Sequence, residues 1–405
     1  MSRFTRRSIL GAALAGTAGS LLPGQVSAWD GSLGSGPRQY VVNIFLWGGL
    51  DGVLTVDAKD ATATGGRIEP GYLADERRQG THRLFGPLIS GLLRHDADLC
   101  LVHGVRTDTV AHPRGERIVQ RGRVKALAGE PWLGDLLGTA LPGDASIPHL
   151  ALGQSLDSFE SESEAVAPPA IVSVELAQAL LDPRARAARV EPWLRSREQG
   201  QGDALGRLMA TAELSPRFQD PILGPQLQLA LHALQGNFAK AVTVSTRSLH
   251  LDAHHEHLAL QRRRLVPALD DIAQFMDALK SVRTEHGSLF EQTTVVIGSE
   301  FGRAPKYGAS SGKEHWPEGS WVLAGKGIRG GTTVGETGAD LRGRAIDYRT
   351  GRPTGDQRRP VLVDALSATL LRIASPDSSA HGFRSEDVLQ CALTEQSAAG
   401  RSAVS

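Results

Sequence analysis

The sequence predicts an α/β protein, a mainly parallel sheet with helices on both faces. Three observations carry this. Apolar runs of strand length recur along the 405-residue chain, they alternate with stretches of helical periodicity, and glycine-rich or acidic turns close several of them. A parallel strand covered on both sides reads as a continuous apolar run rather than an alternating one.

The first 28 residues stand apart from the fold. Arg3, Arg6 and Arg7 form a basic start, Ile9 to Leu22 an apolar stretch, and Val26-Ser27-Ala28 a small-residue cleavage site. Thr5-Arg6-Arg7-Ser8-Ile9-Leu10 is a twin-arginine pattern, an export address read by a receptor. The apolar stretch is shorter than the roughly 20 residues a membrane span needs. The expectation is cleavage after Ala28, export to the periplasm or beyond, and no membrane span afterwards. One large domain over 29–395 and a flexible tail over 396–405 complete the expected organisation.

Composition narrows the partners. Forty-four Lys and Arg balance forty-four Asp and Glu, and loss of Arg3, Arg6 and Arg7 leaves 41 against 44. A near-neutral chain lacks the concentrated basic surface that nucleic acid or an anionic membrane demands. Cys100 and Cys391 could pair in an oxidising compartment only with Cα atoms within about 7 Å. They make no C-x-x-C unit, so any metal is to be held by oxygen and imidazole.

Gln39 to Trp47 is read as the first strand, feeding Gly48-Gly49-Leu50-Asp51-Gly52. A helix is expected around His82 to His95, then strands at Asp98 to Val105, Ile147 to Leu152 and Ala170 to Val174. Ser155 to Pro169 reads as a surface loop and Pro183 to Gly202 as charged and partly helical. From Leu258 to about Glu285, Leu265, Leu269, Ile272, Met276 and Leu279 recur at spacings of four and three, one face of a long helix whose wet side carries Arg262, Arg263 and Arg264. Strands at Thr293 to Ser299 and Ser320 to Ala324 and a helix at Val361 to Ile373 follow.

In an open parallel sheet, ligands bind beyond the carboxyl ends of the strands. Asp51 lies there, among glycines that let backbone approach a ligand. His250 to His257 places four histidines and two carboxylates in eight residues, with Asp252 and His254 singled out by their Asp-x-His spacing and His255 and His257 as outer partners or solvated. Glu300 directly follows a strand in Ser299-Glu300-Phe301-Gly302-Arg303, and Gly312-Lys313-Glu314-His315 supplies a further acidic and imidazole pair.

Taken in order behind the twin-arginine segment, these motifs resemble the domain-of-unknown-function 1501 family, placed in the alkaline phosphatase/sulfatase-like superfamily. Trp132-Leu133-Gly134 and the glycine-rich stretch from Gly325 to Gly335 add to the resemblance. It implies an alkaline-phosphatase-like fold, with Asp51, Asp252, His254, Glu300 and His315 as ligands of one or two divalent ions, among which Zn, Mn, Mg and Ca are not distinguished. Such ions would clamp the oxygens of an anionic ester. Two departures stand out. The family's Ser-His is Ala111-His112 here, leaving Thr107 and Thr109 as substitute hydroxyls beside His112, and Glu314 replaces an Asp. Arg114 and Arg303 are candidates for holding an anionic oxygen, with a structural ion pair as the alternative for each.

The expectation is an exported metal-dependent hydrolase of phosphate or sulfate esters, with catalytic candidates His112, Arg114, Arg303 and Thr109. The alternative is a non-catalytic metal-binding periplasmic protein that acts through a protein partner. A redox enzyme finds no dinucleotide fingerprint or cluster-binding cysteines.

Overall fold

A computed structural model describes residues 38–125, 127, 130–153, 169–191, 202–212, 217–246, 249–354, 360–375 and 381–399, all in one compact unit. The segment expected to direct export, residues 155–168 of the expected loop and the last six residues lie outside the described residues.

The centre is an eight-stranded sheet. Its strands are β1 Tyr40–Phe45, β2 Leu99–Arg106, β3 Ile147–Leu152, β4 Ala170–Val172, β5 Ala239–Ser245, β6 Thr293–Gly298, β7 Glu318–Gly325 and β8 Thr332–Val334. Their order across the sheet is β8-β2-β7-β6-β1-β5-β3-β4. All neighbours pair in parallel except β7, which runs against both β6 and β2. The chain therefore adopts the expected class, with one inverted strand. That inversion has a use: the segment entering β7 lies at the same edge where the parallel strands end, since Glu318 pairs with Arg106 at the end of β2.

Strand β1 shows why the sheet is buried on both sides. Val42 and Ile44 join one core, and Val41 and Phe45 join the other. Helices cover both faces, among them α1 His112–Arg121, α2 Leu133–Ala140, α3 Leu223–Gln235, α4 His257–Ser281 and α5 Val363–Ala374. Leu227 and Leu231 of α3 and Leu269 and Ile272 of α4 pack into the first core. Ile118 of α1, Leu137 of α2 and Leu366 of α5 pack into the second. Each fully buried Val, Leu or Ile contributes roughly 1.5–3 kcal/mol relative to exposure. Among the described residues, no helix is long and apolar enough to cross a membrane.

The apolar face expected for α4 is buried, and Arg262 and Arg263 are exposed. The helix stops at Ser281, short of Glu285, because residues 283–288 form a tight two-stranded turn with Gly287 at φ 103°. Other elements differ from expectation. The stretch around His82 to His95 is not an α-helix: a short strand, Leu84–Phe85, leads into a 3-10 segment, Pro87–Asp98, broken at Ser90 with φ 48°. Asp270 holds that break, its Oδ1 accepting from Ser90 Oγ at 2.6 Å and Gly91 N at 2.7 Å. Helix α3 and strand β5 were not anticipated. Glu395–Ala399 is helical and overlaps the start of the tail expected over 396–405. Cys100 and Cys391 are buried free thiols in the second core.

Trp132-Leu133-Gly134 has a packing role. His149 of β3 lies against it, with Nδ1 2.7 Å from Asp135 Oδ1 and Nε2 2.9 Å from Thr243 Oγ1. A carboxylate, an imidazole and a hydroxyl in line have the order of a hydrolytic triad, yet Asp135 and His149 are 1% exposed and Thr243 3%, so no substrate reaches them. The network instead satisfies polar groups inside the second core. Gly134 is required by it, because a Cβ there would lie 2.3 Å from His149 Cε1. Gly134→Ala should lower unfolding free energy by about 1–3 kcal/mol through overpacking. Urea titration checks this, and an unchanged midpoint would show that the ring has room to move.

Candidate metal centre at the carboxyl edge of the sheet

Three adjacent parallel strands, β6, β1 and β5, end side by side, and each releases an acidic residue at this edge: Glu300 after β6, Asp51 after β1 and Asp252 after β5. Helix α1, which follows β2, brings His112 in its first turn. The short ribbon pairing Gly302–Arg303 with His315–Trp316 brings Arg303 and His315.

Glu300 is fully buried. Its Oε1 accepts from Gly48 N at 2.9 Å and lies 2.7 Å from His112 Nδ1, and its Oε2 accepts from Ser299 Oγ at 2.6 Å. Gly48 is needed twice: its φ is 107°, and a Cβ would lie 2.4 Å from Asp252 N. Gly115 of α1 lets that helix settle on Glu300, because a Cβ there would be 3.0 Å from Glu300 Cβ. The hydrogen bond that His112 donates to Glu300 is the main cause that raises the His112 pKa, with burial opposing it and the charges of Glu300 and Asp252 adding to it.

On its other side, His112 Nε2 lies 3.2 Å from Asp252 Oδ2. His315 Nε2 lies 3.0 Å from Asp252 Oδ1 while its Nδ1 is 2.6 Å from the Val110 carbonyl. A carbonyl and a buried carboxylate are pure acceptors, so both Nδ1 atoms carry a proton, and each Nε2 faces Asp252 either protonated and donating to it or, in the neutral ring, with a lone pair that a cation can share with the carboxylate. Lone pairs facing a carboxylate repel it unless a proton or a cation lies between them. The ligand atoms of His112, Asp252 and His315 lie within 4.8 Å of one another. Imidazoles whose second nitrogen is tied to a carboxylate or a carbonyl are the arrangement that metal ligation uses. The donor set therefore fits a divalent ion. His254 flanks it, with Nε2 3.0 Å from His315 Nε2 and 3.2 Å from Asp252 Oδ1.

The site residues expected from sequence do not all meet at one point. Asp252, His254 and His315 come together. Glu300, expected as a ligand, stands behind His112, and His112, expected in catalysis, takes the position facing Asp252. Asp51 belongs to a separate buried pair: Oδ1 accepts from Val53 N at 2.9 Å, and Oδ2 from His257 Nε2 at 2.8 Å and Lys313 Nζ at 3.0 Å. Arg303, for which an anionic oxygen and a structural ion pair were the two readings, is turned inward and forms the ion pair with Asp252. Its Nη1 donates to Lys313 O at 2.8 Å, Nε to Gly49 O at 3.3 Å, and Nη2 to Gly48 O and Asp252 Oδ1. Thr109 is buried, with Oγ1 accepting from Ala111 N, and Thr107 donates to Pro317 O. Arg114 and His255 are exposed. Sequence reasoning missed Lys313, although it sits in a quoted motif. Nothing local distinguishes a buried lysine from a solvated one.

Burial pushes the Asp51 pKa up, but the Lys313 charge and the His257 hydrogen bond outweigh it and hold the carboxyl below the usual range. A carboxyl whose folded pKa is depressed adds stability above its unfolded value, about 3.9, and loses it as pH falls through the folded pKa. Asp51→Asn strands the Lys313 charge in the interior and should cost roughly 3–5 kcal/mol at pH 7. Its stability should also fall less steeply than the wild type's below about pH 4. Urea unfolding across pH checks both, and parallel acid limbs would show that Asp51 is not held ionised by the fold.

No curated protein matches the chain. Among solved structures, a sulfatase from Pseudoalteromonas sp. is similar at 12% identity, covering 90% of this chain and 72% of that one, with a TM-score of 0.38. A protein in the alkaline phosphatase superfamily from Vibrio parahaemolyticus is 12% identical over 74% of this chain and 64% of its own, with a TM-score of 0.36. The lipoteichoic acid synthase LtaP from Listeria monocytogenes is 12% identical over 80% and 75%, with a TM-score of 0.37. Residues 226–381, the part of the chain that supplies Asp252, His254, Glu300, Arg303, Lys313 and His315, match the family described as "Protein of unknown function (DUF1501)".

Proposed function

We propose that the chain is an exported, metal-dependent hydrolase of phosphate or sulfate esters. The observation that carries this is the convergence of two oriented imidazoles on Asp252 at the sheet edge where α/β proteins bind ligands. A divalent ion held by His112, Asp252 and His315 would supply Lewis acidity toward an ester oxygen and a nucleophile at neutral pH. Zn²⁺ and Mn²⁺ suit imidazole and carboxylate donors best.

The protein's own contribution is orientation and charge. Glu300 and the Val110 carbonyl hold the two rings with the ligating nitrogen free, and Arg303 keeps Asp252 ionised. Burial would raise the Asp252 pKa, yet hydrogen bonds from Arg303 and His315 and the charge of Arg303 hold it well below the usual range. His254 stands half-exposed on the solvent side, where it can adjust to an ester and pass a proton outward. Because Thr107 and Thr109 face inward, water rather than a side-chain hydroxyl is the nucleophile this geometry favours. Hydrolysis then proceeds without a covalent enzyme intermediate.

A second reading, a non-catalytic metal protein acting through a partner, is favoured by that same lack of an outward hydroxyl at Ala111-His112. Turnover separates the two. Purified protein loaded with Zn²⁺, Mn²⁺, Mg²⁺ or Ca²⁺ should cleave an aryl phosphate or aryl sulfate faster than an Asp252→Ala/His254→Ala control. Equal rates in the two proteins, with the ion bound to the wild type, would abandon the hydrolase reading. Glu300→Gln, which weakens the support of His112, should reduce metal affinity by about 10–100-fold, read by calorimetric titration. Unchanged affinity would remove His112 from the ligand set.

A further inference from the structure

We infer that the centre takes a single divalent ion, and that the ammonium of Lys313 holds the place a second ion would need. Asp51 opens from the loop after β1, one strand from Asp252, and is fully buried, so its negative charge requires a cation beside it. The structure supplies one covalently. Lys313 Nζ lies 3.0 Å from Asp51 Oδ2, and the Lys313 side chain is 0% exposed. The ring of Tyr307 lies 4.9 Å from the ammonium, an aromatic face toward a cation. Since His257 Nε2 donates to the same Oδ2 and Val53 N to Oδ1, both oxygens are engaged.

The inner flank of Asp252 is also taken. The Arg303 guanidinium reaches Asp252 Oδ1 at 2.6 Å, the Gly48 carbonyl, and the carbonyl of Lys313 itself. Two metal ions acting as a clamp sit roughly 3.5–4 Å apart, and here one fixed positive charge, Arg303, flanks Asp252 and another, Lys313, sits on Asp51. A second divalent ion would meet their repulsion and find Asp51 already neutralised. Position 313 therefore sets the number of ions the edge can hold.

Elemental analysis and calorimetric titration with Mn²⁺ and Zn²⁺ test this on the full chain. Wild type should hold one ion, and Lys313→Ala, which frees Asp51 and His257 together with the volume of the lysine, should hold one more. The absolute count of one rests on the proposed centre, whereas the gain on substitution does not. A wild type that binds nothing, beside a Lys313→Ala protein that binds one, would sink the proposed centre and leave the role of Lys313 standing. Two ions in the wild type, or no gain in Lys313→Ala, would overturn it. Lys313→Ala strands a buried carboxylate and could fail to fold. The double variant Asp51→Asn/Lys313→Met removes both charges at once, and it should fold and keep the wild-type ion count. Loss of an ion there would make Asp51 a ligand and overturn the inference equally.

Discussion

The carboxylate of Glu300 has no contact with solvent, and the rest of the edge is arranged to hold its charge. An uncompensated buried charge costs several kcal/mol, so each oxygen needs donors. Gly48 N–H, Ser299 Oγ and His112 Nδ1 provide them. Each donor constrains a different piece of chain. The loop after β1 must turn with positive φ at Gly48, and α1 must begin at His112 and place Gly115 against Glu300. A residue that reads as a ligand thus works as the peg on which a ligand and two connections hang.

Charge compensation at this edge is divided by depth. Asp51 and Lys313 neutralise each other in the interior, and Arg303, equally buried, spans from backbone carbonyls to Asp252. Asp252 is the carboxylate that keeps contact with water, its side chain 38% exposed. One fixed cation on its inner side keeps it ionised, and the Nε2 atoms of His112 and His315 face it at 3.2 and 3.0 Å. The inner layer is therefore settled by the chain alone, while the outer layer gathers a carboxylate and two imidazole nitrogens that a cation can share. An incoming cation meets acceptors only where it can also reach solvent.

Much of this is legible in the sequence, and the reasons are local. Strands β1, β2 and β6 announce themselves as continuous apolar runs, and the face of α4 is marked by its spacing. Strand β5 is not, because Ala239, Lys240 and Ala241 dilute its start and no glycine-rich turn follows. Asp252 and His254 were still found, by residue density rather than by position after a strand. What remained out of reach depends on long-range pairing. The link between His112 and Glu300 spans 188 residues and that between Asp51 and Lys313 spans 262. Ala111-His112-Pro113 therefore read as a catalytic motif that had lost its hydroxyl. A ring held by a distant carboxylate is outside what spacing can show. The break at Ser90 went unseen for the same reason, since the Asp270 that stabilises it lies in α4.

The three histidines of the centre differ in what fixes their second nitrogen, and this orders their roles. His112 is tied to a carboxylate that no water reaches, so its ring cannot turn without leaving a buried acceptor unmet, and His315 is tied to the backbone carbonyl of Val110 at 2.6 Å. His254 Nδ1 instead faces Glu314 at 3.3 Å, a carboxylate whose side chain is 76% exposed. Solvent can replace that partner at little cost. The first two rings form the rigid part of the set and His254 its adjustable member, free to ligate, withdraw or carry a proton. The longer Glu314, where the resembling family has Asp, fits this division. A flexible exposed carboxylate need only reach His254, whereas the carboxylates that must not move, Glu300 and Asp51, are the ones sealed inside.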